Sequence, residues 1–158
     1  MSLHNLLLPG LILPKVECDS KNQLISILAD KIYDSDVSLP VSKSNLIKII
    51  HAREEVGGTL LPSGLSVPHA RLKDYNDFVI AIGIPARPVF SEGLQIRMMA
   101  LMVSSNTGGP HYLKSLAELT KISRNKDEFF RLCSAESPEE ILKILAEENM
   151  DNLNSEDD

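Results

Sequence analysis

Two histidines of this chain each follow a proline, His69 after Pro68 and His111 after Pro110, and arginine stands at positions 53 and 71. If residues 69 to 71 run extended, side chains two apart share a face, so Arg71 stands beside His69. Neutral imidazole is a nucleophile near physiological pH, and a planar guanidinium grips phosphoryl oxygens in bidentate fashion. The pair therefore suits a histidine that receives a phosphoryl group. A neighbouring cation also favours the uncharged, attacking ring. His111 lies between a turn and a helix, where the first free amides of the helix can face an anion. Taken singly, a histidine is more often a surface or structural residue, and His4 and His51 are read in that way. Two histidines could also ligate zinc, but no further His or Cys stands at motif spacing from either, and neither a metal nor a cofactor is expected.

Other catalytic patterns fail on spacing. No Gly-x-x-x-x-Gly-Lys-Ser/Thr loop is present, and the pairs Gly57-Gly58 and Gly108-Gly109 lack the third glycine of a dinucleotide fingerprint. Gly64-Leu65-Ser66-Val67-Pro68 begins like a nucleophile elbow but has Pro where Gly is required, so Ser66 reads as a strand residue. Cys18 and Cys133 have no Cys-x-x-Cys spacing and are expected to be reduced, mostly buried thiols.

The elements that must hold these residues follow from pattern. Gly10 to Val16 is a short apolar stretch. Ser20-Lys21-Asn22-Gln23 forms a capping box, and Leu24, Ile25, Leu28 and Ile32 continue at helical spacing to about Tyr33. Ser42 caps a second helix, with Leu46, Ile47 and Ile50 on its inner face, His51, Arg53 and Glu54 in its last turn, and Gly57-Gly58 as its stop. Leu65 to Val67 reads as a short strand, kept extended before Pro68, which places His69 at a strand end. Asp77 to Ile84 reads as a strand, and Arg97 to Ser104 as a central one, apolar on both faces. After the turn residues Ser105 to Pro110, Tyr112, Leu113, Leu116 and Leu119 or Thr120 recur at helical spacing. Asp127 to Cys133 forms a further short helix, and Ser137-Pro138-Glu139-Glu140 opens a last one. Helices on both sides of these strands predict an α/β fold, a three-layer α/β/α sandwich. Residues 1–146 form the domain, and the acidic residues 147–158 are expected to be a solvated tail.

Composition sets the outer limits. The 158 residues suit one core; 43% are hydrophobic and 24% charged, the range of ordinary globular proteins. Sixteen Lys and Arg against 22 Asp and Glu leave a net charge of −6, which argues against binding nucleic acid or anionic lipid. No run of about 18 apolar residues predicts membrane insertion. Met1 to Gly10 lacks a signal-peptide pattern, so a cytoplasmic location is expected.

The ordered blocks Arg53-Glu54, Gly58-Thr59, Gly64-Leu65-Ser66-Val67-Pro68-His69-Ala70-Arg71 and His111-Tyr112-Leu113-Lys114-Ser115-Leu116-Ala117 resemble a known family. It is the type-2 enzyme IIA domain (EIIA) of the phosphoenolpyruvate-dependent phosphotransferase system, the fructose-mannitol and nitrogen-regulatory class. Its usual pattern reads Arg-Glu, Ser-Thr, Gly-Ile-Ala-Ile-Pro-His, then His-Leu-x-x-Leu-Ala. The resemblance implies a mixed β-sheet and a phosphohistidine intermediate, with His69 accepting phosphate on Nε2. It further implies that Arg53 helps bind the phosphoryl group and that His111 lies beside the active imidazole. Thr59, in the Gly-Thr that stands for Ser-Thr, joins Arg71 as a candidate phosphoryl ligand. The partners implied are phospho-HPr or a paralogue as donor, and an enzyme IIB component in sugar uptake as acceptor. In the nitrogen-type branch, a regulatory target takes the place of IIB.

Overall fold

The computed structural model describes the backbone of residues 2–156 and the side chains of residues 2–150. A short helix, α1 (Leu3–Leu6), and a 3-10 turn lead into strand β1 (Ile12–Val16), then helices α2 (Lys21–Asp34) and α3 (Lys43–Val56). Both helices start where their sequence caps predict. Ser20 Oγ accepts from the Gln23 amide at 3.0 Å while Gln23 Oε1 accepts from the Asp19 amide at 2.6 Å, and Ser42 Oγ accepts from the Asn45 amide at 3.2 Å. Strands β2 (Leu65–Ser66), β3 (His69–Leu72), β4 (Val79–Pro85), β5 (Val89–Ser91), β6 (Leu94–Ile96) and β7 (Met98–Ser105) follow. Helices α4 (Pro110–Arg124), α5 (Lys126–Cys133) and α6 (Pro138–Glu156) complete the order.

Strand β7 is the spine of a mixed sheet. On one flank it pairs antiparallel with β4, whose outer neighbour β1 runs parallel to it. On the other flank β2 and β3 pair parallel with successive parts of β7, Leu65 opposite Met98 and His69 opposite Met102. They form one edge row broken at Val67-Pro68. There the Val67 amide turns away to the Thr59 carbonyl at 3.2 Å, and Pro68, with no amide to give, still accepts from Met102 at 2.9 Å.

Side-chain alternation along β7 builds the two apolar layers. Met98, Ala100 and Met102 pack with Leu119, Ile122, Phe129 and Ile141 of α4, α5 and α6. Met99, Leu101 and Val103 pack with Leu24, Leu28, Leu46 and Ile50 of α2 and α3. The domain is thus the three-layer α/β/α sandwich that the helix and strand patterns predict. Each such buried side chain contributes about 1.5–3 kcal/mol of apolar transfer.

Three features depart from expectation. The β5–β6 hairpin was not foreseen: its two-residue turn, Glu92-Gly93, has positive φ at both positions (53° and 78°), the geometry that Asn-Gly more often signals. Helix α1 is too short to show periodicity. At the other end α6 runs to Glu156, well into the stretch expected to be a tail from Glu147, and Glu147 itself pairs with Arg131 at 3.0 Å. Asp157, Asp158 and the side chains beyond Met150 lie outside the described residues.

Candidate functional site

His69 is the first residue of β3 and is 7% exposed, on the face of the sheet that carries Met102. Its Nε2 lies 2.7 Å from Ser104 Oγ of the neighbouring strand β7, and Ser104 Oγ also lies within donating distance of the Ser105 carbonyl, 3.2 Å. The imidazole is stacked on the ring of Tyr112, centroids 3.8 Å apart and planes 12° from parallel. Tyr112 sits in the first turn of α4, which begins at Pro110 after Gly109, whose φ of 88° favours glycine.

A cleft of about 410 Å³ opens over this histidine, lined by Ile49, Arg53, His69, Arg71 and Tyr112. Arg71 projects from β3 two residues beyond His69, the shared face that strand geometry predicts. Arg53 comes from the last turn of α3, and its Nη1 donates to the Gly57 carbonyl at 3.0 Å. Burial above all, then the charges of Arg71 and Arg53, lower the His69 imidazole from the usual 6.5 to about 4. At neutral pH the ring is uncharged, and two guanidinium groups line the cleft with it. That is a site built for an anionic electrophile.

The remaining predicted residues fall elsewhere. Thr59 gives both its hydroxyl and its amide to the Glu54 carboxylate, the amide at 3.1 Å, so it anchors the loop after α3 rather than lining the cleft. Glu54, 8% exposed, also takes Lys21 Nζ of α2 at 3.3 Å. Glu92 of the hairpin turn lies against Gly58, its Oε2 2.5 Å from where a Cβ would sit, and its Oε1 is 4.0 Å from Lys21 Nζ.

His111 is turned to Phe78, ring centroids 6.2 Å apart, and does not line the cleft. The residue beside the His69 imidazole is Tyr112. A sequence signal for this was present: in His-Leu-x-x-Leu-Ala, the segment Leu-x-x-Leu-Ala matches Leu113 to Ala117, which puts Tyr112, not His111, at the motif histidine. Adjacent residues on a helix point about 100° apart, so a one-residue error exchanges the cleft for its rim.

Cys18 and Cys133 are free and partly buried, and burial pushes the Cys133 thiol up to about 12, which removes it as a nucleophile. Among the described residues no group of three or more His, Cys, Asp and Glu side chains is arranged to hold a metal ion, and no helix is long and apolar enough to cross a membrane.

Residues 5–148 match the family described as phosphoenolpyruvate-dependent sugar phosphotransferase system, EIIA 2. A nitrogen regulatory protein of Bradyrhizobium diazoefficiens is 24% identical over 149 residues, 92% of this chain and 95% of that protein. Among solved structures, nitrogen regulatory protein IIA-Ntr from Neisseria meningitidis superposes with a TM-score of 0.72 at 21% identity, covering 90% of this chain and 98% of that one. The complex of enzyme IIA-mannitol with phosphorylated enzyme IIB-mannitol from Escherichia coli gives 0.70 at 17% identity, covering 89% and 96%. At these identities the two structures share the fold.

Proposed function

Because this chain belongs to the EIIA 2 family of the phosphoenolpyruvate-dependent sugar phosphotransferase system, we propose that it is a phosphoryl carrier whose acceptor is His69. The observation that carries this reading is the neutral, buried imidazole opening into a cleft flanked by Arg53 and Arg71. The donor would be a phosphohistidine carrier protein, HPr or a paralogue. The lone pair of the His69 ring nitrogen attacks phosphorus, the donor's P–N bond breaks, and its electron pair returns to the donor imidazole. The two guanidinium groups neutralise the phosphoryl oxygens as they pass between the rings. Arg53 spends one N–H of its guanidinium on the Gly57 carbonyl, and the others remain to bind phosphoryl oxygens. A protein donor fits the rim: Val56 and Leu113, on the helix ends that carry Arg53 and Tyr112, are 85% and 64% exposed.

Onward transfer would go to an enzyme IIB component in sugar uptake. A second reading, phosphorylation as a signal that selects a regulatory target, is favoured by the end-to-end match to a protein named nitrogen regulatory protein. Both readings share the chemistry at His69. Incubation with phosphoenolpyruvate, enzyme I and HPr or its nitrogen-branch paralogue should add one acid-labile, alkali-stable phosphoryl group, and none to His69→Ala. Labelling of His69→Ala equal to wild type would remove the assignment. Discharge onto a IIB domain then separates a relay from a signal.

A further inference from the structure

The family pattern quoted above places a second histidine at the start of the last motif, and the structure shows a tyrosine standing there. We propose that Tyr112 replaces that histidine as the positioning residue of the site, so that phosphoryl transfer here runs on a single titrating imidazole held in place by an aromatic stack. The inference rests on the reading of His69 as the phosphoryl acceptor.

Three observations support it. The Tyr112 ring lies over the His69 imidazole at 3.8 Å and within 12° of parallel, so the attacking ring is constrained on one face by a flat, apolar neighbour and at its edge by Ser104. His111, the ionisable candidate next in the chain, makes its ring contact with Phe78 instead. The groups facing His69 from each packed element are Arg53 of α3, Arg71 of β3, Ser104 of β7 and Tyr112 of α4. They supply two guanidinium groups, a hydroxyl and a phenol ring, but no second imidazole. A second imidazole at position 112 would bring a variable positive charge against the nucleophile. Tyrosine keeps the planar contact without that charge.

Rapid-mixing transfer from phospho-HPr, followed from pH 5 to 9, tests this with Tyr112→Ala, Tyr112→Phe and Tyr112→His. Loss of the stack in Tyr112→Ala should lower the transfer rate constant by roughly tenfold. The donor concentration for half-saturation should hardly change. Tyr112→Phe, which keeps the ring, should restore most of the loss, and Tyr112→His should add an acid limb in the ordinary imidazole range that wild type lacks. Tyr112→Ala transferring like wild type, Tyr112→Phe as slow as Tyr112→Ala, or Tyr112→His with a wild-type pH profile would each overturn the proposal. The stack is also read without any phosphate: the His69 ring-proton resonances should move downfield in Tyr112→Ala but not in Tyr112→Phe. If wild type accepted no phosphate while this shift was seen, the carrier reading would fail and the stack would stand.

Discussion

His69 Nε2 and the Ser104 hydroxyl, 2.7 Å apart, have one serine proton between them, and the Ser105 carbonyl competes for it at 3.2 Å. The tautomer of His69 follows from where that proton goes. Acceptance on Nε2 requires Nδ1 to carry the ring proton, with Ser104 donating to the Nε2 lone pair until the phosphoryl group displaces it. Long-range nitrogen–proton spectra at pH 7 should therefore show the Nδ1–H form. An Nε2–H form, with Ser104 donating to Ser105, would move the nucleophilic lone pair to Nδ1. The competing bond is of ordinary strength, about 1 kcal/mol net, so its release is a small part of any transfer barrier.

Between elements, the Glu54 carboxylate ties together α2, α3 and the loop that follows α3. It accepts from Lys21 Nζ on α2 and from both the amide and the hydroxyl of Thr59, while belonging itself to α3 next to Arg53. The Thr59 carbonyl in turn accepts from the Val67 amide at the break between β2 and β3, so the tether reaches the segment that leads into His69. Both charged side chains are largely buried, 14% and 6% exposed. Removing Glu54 leaves the desolvated Lys21 only the more distant Glu92 carboxylate, 4.0 Å away, and takes the acceptor from the Thr59 amide and hydroxyl, so Glu54→Ala should lower stability by about 3 kcal/mol in urea unfolding, with the dependence on denaturant unchanged. A loss under about 0.5 kcal/mol, the level of an ordinary surface substitution, would show that the tether is dispensable. Gly64 belongs to the same frame: its φ of 100° and the side chain of Arg97, 2.9 Å from where a Cβ would sit, leave no room for another residue at the start of β2.

At the scale of the whole molecule, a chain of net charge −6 presents two guanidinium groups at its one buried histidine, and folding is linked to that histidine's proton. The imidazole titrates near 6.5 when unfolded and near 4 when folded. Between those values the unfolded chain binds more protons, so this group's contribution is fully present above pH 6.5 and is lost as pH falls toward 4. Urea midpoints measured from pH 7.5 to 4 should fall less steeply for His69→Gln than for wild type, since glutamine takes no proton in either state. Parallel curves would mean that His69 does not carry the linkage.

The sequence by itself determined the layers, most element boundaries and the placing of His69 beside Arg71 on one extended segment. Caps such as Ser20 and Ser42 are satisfied within one turn, periodicity reports burial directly, and the apolar run of β7 must be covered on both faces. His69 and Arg71 are two residues apart on one strand, so their juxtaposition is also local. Tertiary structure decided the rest. That β2 and β3 share one flank of β7, that Arg53 reaches the cleft from another layer, and that Ser104 meets His69 are consequences of strand pairing between distant segments. The exchange of Tyr112 for His111 beside the imidazole turned on one helical step of about 100°, which the packing of α4 on the sheet sets and which the sequence records only in the register of Leu113 to Ala117. Thr59 was drawn to Glu54 because a buried carboxylate must collect donors wherever the fold supplies them.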